Sequence, residues 1–264
     1  MTTATEAPTA DVGLRDKDFL RLWKGETISK AGNALTVVVI PLIALQYLNA
    51  NTFMMAVLQA SIWLPWLLFG IPAGIWADRL RARPLMITCD IIAAAAYFTI
   101  PVATWLGFLT IPHLMLAAVI AGGAGVFFTA AYNTYIPFLV GRKHLFQANS
   151  RLQSTESGAA IAGPPLGGFI AIVTGAVAAL LLDCISFIIS ALYLRKISVD
   201  EPDKALKDAP KRRVFTEIAE AARFIFKDAY LRVITINVAV VNFCLGGVQA
   251  AFRSEERRVG KECR

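Results

Sequence analysis

The feature that most constrains this chain is a series of runs, each about 20 residues long, that carry almost no charge, which is the length a helix needs to cross the hydrocarbon core of a bilayer. Seven such runs fall near residues 27–48, 53–76, 85–106, 111–138, 149–173, 175–194 and 232–252. Hydrocarbon offers no partner to backbone N–H and C=O groups, so a segment crossing it must be a helix or part of a closed barrel. Runs of this length select helices, since a barrel strand needs only about 10 residues. A soluble helical bundle would confine its apolar residues to one stripe, whereas these runs are apolar all round. The composition, 56% hydrophobic and 17% charged, agrees. A soluble domain carries a larger charged share. The expected fold class is an all-α membrane protein. Pro41, Pro65, Pro72, Pro101, Pro164 and Pro165 fall inside the runs, where membrane helices tolerate them.

The net charge of +7 could suggest a nucleic-acid partner, but its distribution points to membrane lipid instead. Arg79, Arg81 and Arg83 lie between the second and third runs, and Arg142 and Lys143 between the fourth and fifth. Arg195, Lys196, Lys204, Lys207, Lys211, Arg212 and Arg213 lie between the sixth and seventh. The alternate connections, "NANT", "GFLT" and "VTG", hold no Lys or Arg. Basic connections stay on the cytosolic side, so the chain is expected to be a multi-pass protein of the inner (cytoplasmic) membrane with a cytosolic N-terminus. Its opening, "MTTATEAPTADVGLRDKD", has no apolar core and reads as a cytosolic tail, not a cleavable signal.

These patterns divide the chain into a tail (1–18), a six-helix transmembrane bundle (19–196), a cytosolic linker (197–230), a seventh transmembrane helix (231–252) and a terminal stretch (253–264). Within "KRRVFTEIAEAARFIFKDAYLR", Val214, Ile218, Ala221, Ala222 and Ile225 recur at helical intervals. That spacing suits an amphipathic helix on the membrane face, or equally a solvated linker helix. The final "RSEERRVGKECR" places eight charges in twelve residues on the side that should face outward, and so reads as a tail foreign to the membrane protein. Without its five basic and three acidic residues the net charge is +5.

Two motifs stand out. The second run ends in "GIWADRLRAR", and Gly70 and Gly74 form a G-x-x-x-G that would let another helix approach closely. Asp78 sits at the C-terminal end of that helix, where the helix dipole disfavours a negative charge, so it calls for a cation or another helix N-terminus. The fifth run carries "GPPLGG", in which Gly163, Gly167 and Gly168 thin one face while Pro164 and Pro165 remove two backbone donors.

With these motifs the chain resembles the major facilitator superfamily of transporters. Gly74, Ala77, Asp78, Arg79 and Arg83 are similar to its G-x-L-A-D-R-x-G-R-R signature, with Trp76, Arg81 and Ala82 as departures. Gly163, Pro164, Gly167 and Gly168 are similar to the antiporter signature G-P-x-x-G-G, with Ala159 where a glycine usually precedes it. "FLRLWKGETISKAGNALTVVVIPLIAL" and "LLDCISFIISALYL" look like the bacterial efflux branch that includes enterobactin exporters and macrolide pumps. The resemblance implies a twelve-helix transporter of which this chain supplies the first half, built as two inverted three-helix repeats, plus the seventh helix. The C-terminal half would then be the missing partner. It also implies a gating role for Gly74, Asp78, Arg79 and Arg83, with Asp78 as the latch and the arginines mainly as loop anchors.

Ionisable groups inside a bilayer are functional candidates. Glu156, Asp183 and Asp90 qualify as proton-coupling acids, Glu156 first because the fifth helix borders the central cavity in relatives. The fourth-helix arginine tied to coupling in many relatives is replaced here by Val119. The resemblance places the substrate cavity mainly on the first and fourth helices, where Asn33, Thr36, Thr129, Tyr132 and Asn133 are the polar groups, joined by Gln59 on the second. A mostly apolar wall of this kind suits amphiphilic small molecules. The reading is therefore a proton-coupled exporter of small molecules working by alternating access. An importer of the same fold and a non-transporting scaffold are the alternatives. The sequence offers no nucleophile–base pair, metal spacing or phosphate loop, so neither an enzyme nor a cofactor is expected. Cys89, Cys184 and Cys244 read as buried thiols, and Cys263 lies in the tail.

Overall fold

The structure is a computed structural model and describes residues 17–199, 223–224, 226–238 and 240–241. The N-terminal tail up to residue 16, most of the linker, the far end of the seventh run, Cys244 and the 253–264 tail lie outside the described residues.

The described residues form helices and no strands. In chain order these are α1 (Lys17–Leu48), α2 (Thr52–Arg79), α3 (Ala82–Trp105), α4 (Ile111–Thr174) and α5 (Ala176–Arg195). Each is long and apolar enough to cross a membrane. The 64 residues of α4 cover both the fourth and the fifth apolar runs. A straight helix of that length would reach about 96 Å, three times the ~30 Å hydrocarbon core. Gly141 resolves this: at φ 67 and ψ 164 it leaves the helical region and divides α4 into two bilayer-length limbs. A side chain at that φ would be strained, so glycine is the residue that permits the break. Arg142 and Lys143, expected in an open loop, are already helical immediately after it.

Local signals set the other boundaries. The Asn51 side chain accepts a hydrogen bond from the Met54 amide at 2.9 Å and caps α2, and Thr110 caps α4 through the His113 amide at 3.4 Å. Both residue types are strong N-caps because their side-chain oxygens satisfy amides that lack an intrahelical partner. Gly175, at φ 88, turns the chain from α4 into α5 in a single residue.

In lipid, helices associate through close packing and interhelical hydrogen bonds, because apolar burial gives little net drive there. The α1–α5 contact uses both. Gly25, Ser29, Gly32 and Thr36 make one stripe on α1; Asp183, Ser186, Ser190 and Tyr193 make the facing stripe on α5. The pairing is antiparallel. A Cβ at Gly25 would stand 3.1 Å from Tyr193 Cβ, and one at Gly32 would run into Ser186 Oγ and Asp183 Oδ1. The second limb of α4 runs parallel to α1, with Gly163 against Ala34 and Gly167 against Leu35. α2 packs on the first limb of α4, where Gly122 admits the Pro65 ring, and α3 lies between α4 and α5. Cys89 and Cys184 are free and buried.

The described residues 17–199 belong to one compact unit and those from 223 onward to a second. Of the second, the described part includes a short apolar helix, Ala229–Val238, which falls at the start of the seventh run.

Candidate functional site

Helical spacing puts Glu26, Lys30, Asn33 and Val37 on one face of α1, and that face borders two connected spaces. The inner chamber has a volume of about 320 Å³ and is lined by residues of all five helices. The outer vestibule, about 900 Å³, lies between α1 and both limbs of α4 and reaches Phe146 and Asn149, near the Gly141 break. Glu26, Lys30, Trp66, Phe128 and Thr129 border both, so they form the neck between them.

The residues expected at a cavity distribute unevenly over these spaces. Asn33 and Thr36 line the chamber, Thr129 the neck, and Tyr132 and Asn133 the vestibule. Gln59, expected to join them, lines neither; it is half-buried on α2. The three acids also separate. Glu156 borders the vestibule with half its side chain exposed, and Lys30 Nζ stands 3.4 Å from its Oε1. Asp90 is 2% exposed and borders the chamber. Asp183 is 0% exposed and borders neither space. Its carboxylate accepts hydrogen bonds from Thr36 Oγ1 on α1 and from Ser186 Oγ, the latter at 3.0 Å, which satisfies it as part of the α1–α5 contact.

Sequence reasoning missed Glu26. It is 5% exposed and sits at the neck, one residue before the first apolar run as counted from hydropathy. The i, i+4 spacing of Glu26 and Lys30, continued by Asn33, was the available signal that α1 begins its polar face earlier.

The two motifs take different places. On α2, a Cβ at Gly70 or Gly74 would meet no other atom within 4 Å among the described residues, and Asp78 is exposed. Arg83 reaches across to α5, donating from Nε to the Leu194 carbonyl at 3.0 Å and from Nη2 to the Arg195 carbonyl at 2.6 Å. Those carbonyls end a helix, beyond the reach of i+4 amides, and Leu194 O otherwise accepts a long bond from the Ile197 amide at 3.3 Å, so Arg83 caps α5. A second clasp sits beside it: Arg21 donates to the Lys196 carbonyl at 2.6 Å, while Asp18 Oδ2 accepts from the Ser198 and Val199 amides at 3.0 and 3.2 Å. In "GPPLGG", Gly163 and Gly167 are spent on the contact with α1, whereas Pro164 and Pro165 are exposed and Gly168 has open space around it.

Comparison with known proteins agrees with this architecture. A sequence profile of the Major Facilitator Superfamily matches residues 24–253. Macrolide efflux protein A of Streptococcus pyogenes is 26% identical over 184 residues, covering 69% of this chain and 44% of that protein. The multidrug efflux pump Tap of Mycobacterium tuberculosis is 22% identical over 210 residues, 78% of this chain and 50% of the pump. The uncharacterized MFS-type transporter YfiS of Bacillus subtilis is 25% identical over 230 residues, covering 87% and 54%. The chain thus spans about half the length of the curated relatives it matches. Five membrane-length helices, a mainly apolar cavity with a few polar groups between them and a family match over most of the sequence lead to one conclusion: the chain is a multi-pass membrane protein and belongs to the Major Facilitator Superfamily, whose members are transporters and not enzymes.

Proposed function

We propose that this chain forms the first half of a secondary active exporter of small amphiphilic molecules. The carrying observation is the chamber that opens through a neck into a larger vestibule within a single six-rod bundle. Its wall is mainly apolar with a few polar fixtures, the make-up of a site that holds drug-like cargo. Relatives named as macrolide and multidrug efflux proteins support the direction.

In this reading the bundle 19–196, two inverted three-helix repeats, rocks against a second half of similar size around the chamber. The half-length match to relatives supports such a partner. The seventh helix at 231–252 would begin that second half, reached through a cytosolic linker at 197–230. The N-terminus lies in the cytosol of a bacterial cell, a placement that the basic connections favour, and the vestibule faces inward. Gly74, Asp78, Arg79 and Arg83 form the inner gate. The open face of Gly70 and Gly74 and the open space beside Gly168 are where second-half helices would pack. Export is driven by protons, carried on acids that border the route; Glu156 and Asp90 remain candidates, Glu26 joins them, and Asp183 serves packing.

The test is flux. The gene, carried to the full length of its relatives, is expressed and reconstituted in vesicles, and accumulation of fluorescent amphiphiles is followed under an imposed pH gradient. Export against the concentration gradient supports the proposal. Uptake coupled to the same gradient would make it an importer, and no flux with any gradient would leave a scaffold.

A further inference from the structure

We propose that Asp18 and Arg21 form a strap that fastens the chain just beyond α5 to the first turn of α1, so that a pull on that chain reaches α1 and the neck it carries. The strap rests on the bonds of this bundle alone; its part in transport rests on the two-half reading above.

α5 ends where side chains from two other helices take over its next two hydrogen bonds. In a helix that ran on, the Ser198 and Val199 amides would close onto the Leu194 and Arg195 carbonyls, four residues back. Here Arg83 of α3 donates to both carbonyls. Asp18 Oδ2 of α1 accepts from both amides, at 3.0 and 3.2 Å. Side chains inserted into the ladder in this way break the helix and turn the chain. Arg21 completes the contact: its Nη1 donates to Asp18 Oδ1 at 2.7 Å and to the Lys196 carbonyl at 2.6 Å. Hydrogen bonds to ionised groups are about twice as strong as neutral ones. Asp18 is 5% exposed, and Phe19 and Leu22 beside it share a core cluster with Leu194 and Ile197. Polar bonds and apolar packing thus seat the same short segment.

A cap for α5 alone would need only the arginines, because what a helix C-terminus lacks is donors to its last carbonyls. A carboxylate at that end is opposed by the helix dipole. Asp18 stands instead in the first turn of α1, where the dipole favours its charge. The amides it holds follow the end of α5, so its bonds serve the onward chain and not the helix. From Asp18, α1 runs as one helix to Glu26 and Lys30 at the neck. Asp18 and Glu26 are separated by roughly two turns, a rise of about 12 Å. A rigid element of that length carries a displacement from one end to the other. Undone, the strap would free Ile197 to Val199 and add about 10 Å of slack to the chain. In the two-half reading, that slack is motion lost between the halves.

The experiment has two arms. In the purified chain in lipid nanodiscs, amide hydrogen exchange at Ser198 and Val199 should be at least about tenfold slower than in an unstructured peptide of the same sequence. Asp18→Ala should abolish that protection, since Arg83 still holds the carbonyls these amides would otherwise reach, and Asp18→Asn should keep part of it. Arg83→Ala should loosen the last turn of α5 and leave most of the protection at Ser198 and Val199. Unprotected amides in the parent chain, or equal exchange in Asp18→Ala and the parent, overturns the strap. Equal loss in Asp18→Ala and Arg83→Ala overturns it too, as the mark of a plain helix cap. The parent measurement needs no variant, so misfolding of a mutant does not blur it. In the complete protein, in a background lacking native cysteines, Asp18→Ala should lower vesicle export at least about threefold. The double variant Asp18→Cys, Ser198→Cys should export near the parent rate when oxidised to a disulfide and fall again when reduced. Export indifferent to Asp18→Ala, or lost on oxidation, overturns the coupling through α1. If the parent protein exports nothing, the transporter reading fails, and the exchange arm still decides the strap.

Discussion

Lys30 on α1 and Glu156 on the second limb of α4 meet at 3.4 Å beside the neck that joins chamber and vestibule. The pair ties the two parallel helices at the point where cargo would pass, and it turns Glu156 from an isolated intramembrane acid into one half of an ion pair.

The first prediction concerns that pair. Its side chains are 36% and 51% exposed. A partly solvated contact of this kind is worth about 0–1 kcal/mol. Glu156→Gln in the complete transporter should therefore lower export by no more than about fivefold, given about 1.36 kcal/mol per tenfold. Membrane insertion should be unchanged. Vesicle flux with and without a pH gradient checks this. If gradient-driven export vanishes while downhill exchange persists, Glu156 is itself the coupling acid.

The second concerns close packing. Gly32→Ala must push Ser186 and Asp183 out of place, and Gly163→Ala meets Ala34, with its Cα at 3.1 Å. Overpacking of this kind costs about 1–3 kcal/mol. Both variants should lower the temperature at which the purified chain loses its monodisperse size-exclusion peak. Gly168 has open space around it. Gly168→Ala should therefore stay within about 0.5 kcal/mol of the parent in the same assay, the range of a substitution that touches nothing. A stable Gly32→Ala chain would mean that the two helices do not approach as closely as described.

Capping gives the third. Arg83 supplies the final carbonyls of α5 with two charge-assisted hydrogen bonds. That class is worth about 1.5–3 kcal/mol when buried and less at a half-buried position such as this one. Arg83→Ala should raise amide hydrogen exchange in the last turn of α5, and Arg83→Lys should recover only part of the protection, because an ammonium cannot reach both carbonyls with a planar fork. Exchange equal to wild type in Arg83→Ala would show that the helix end holds without it.

The fourth tests the gate. Asp78 is exposed on this half and stands at a helix C-terminus, where its charge is disfavoured unless a partner meets it. If a second-half helix N-terminus is that partner, the contact is worth about 0.3–1 kcal/mol, roughly a two- to fivefold shift in a two-state equilibrium. Asp78→Asn in the complete transporter should then increase labelling, by a membrane-impermeant thiol reagent, of cysteines placed along the vestibule, in a background lacking every native cysteine, Cys89, Cys184, Cys244 and Cys263 included. Equal labelling would reduce Asp78 to a loop charge.

Much of this protein is legible in its sequence. Lipid allows only a few backbone solutions, so uncharged runs of about 20 residues are enough to read out the helices. The glycine motif of α4 and the arginines after α2 are visible by the same logic, because residue type and spacing carry those signals. Lateral arrangement is not. Hydropathy says that a helix is buried in something, and it does not distinguish lipid from a neighbouring helix. Hence "GPPLGG" gives no hint that two of its glycines face α1 while the third is left open, and Gln59 can be grouped with a cavity that it does not reach. The acids show the same division. By hydropathy Asp90, Glu156 and Asp183 are alike, acids in an apolar chain, and only the family resemblance ranks Glu156 first. Only the tertiary structure, by bringing Thr36 and Ser186 to Asp183, Lys30 to Glu156, and Glu26 beside Asp90, decided which carboxylate is satisfied, which is paired and which faces a cavity. Apart from Ser186, one turn away from Asp183 on α5, these partners come from other helices, tens to more than a hundred residues away, and no local pattern encodes them.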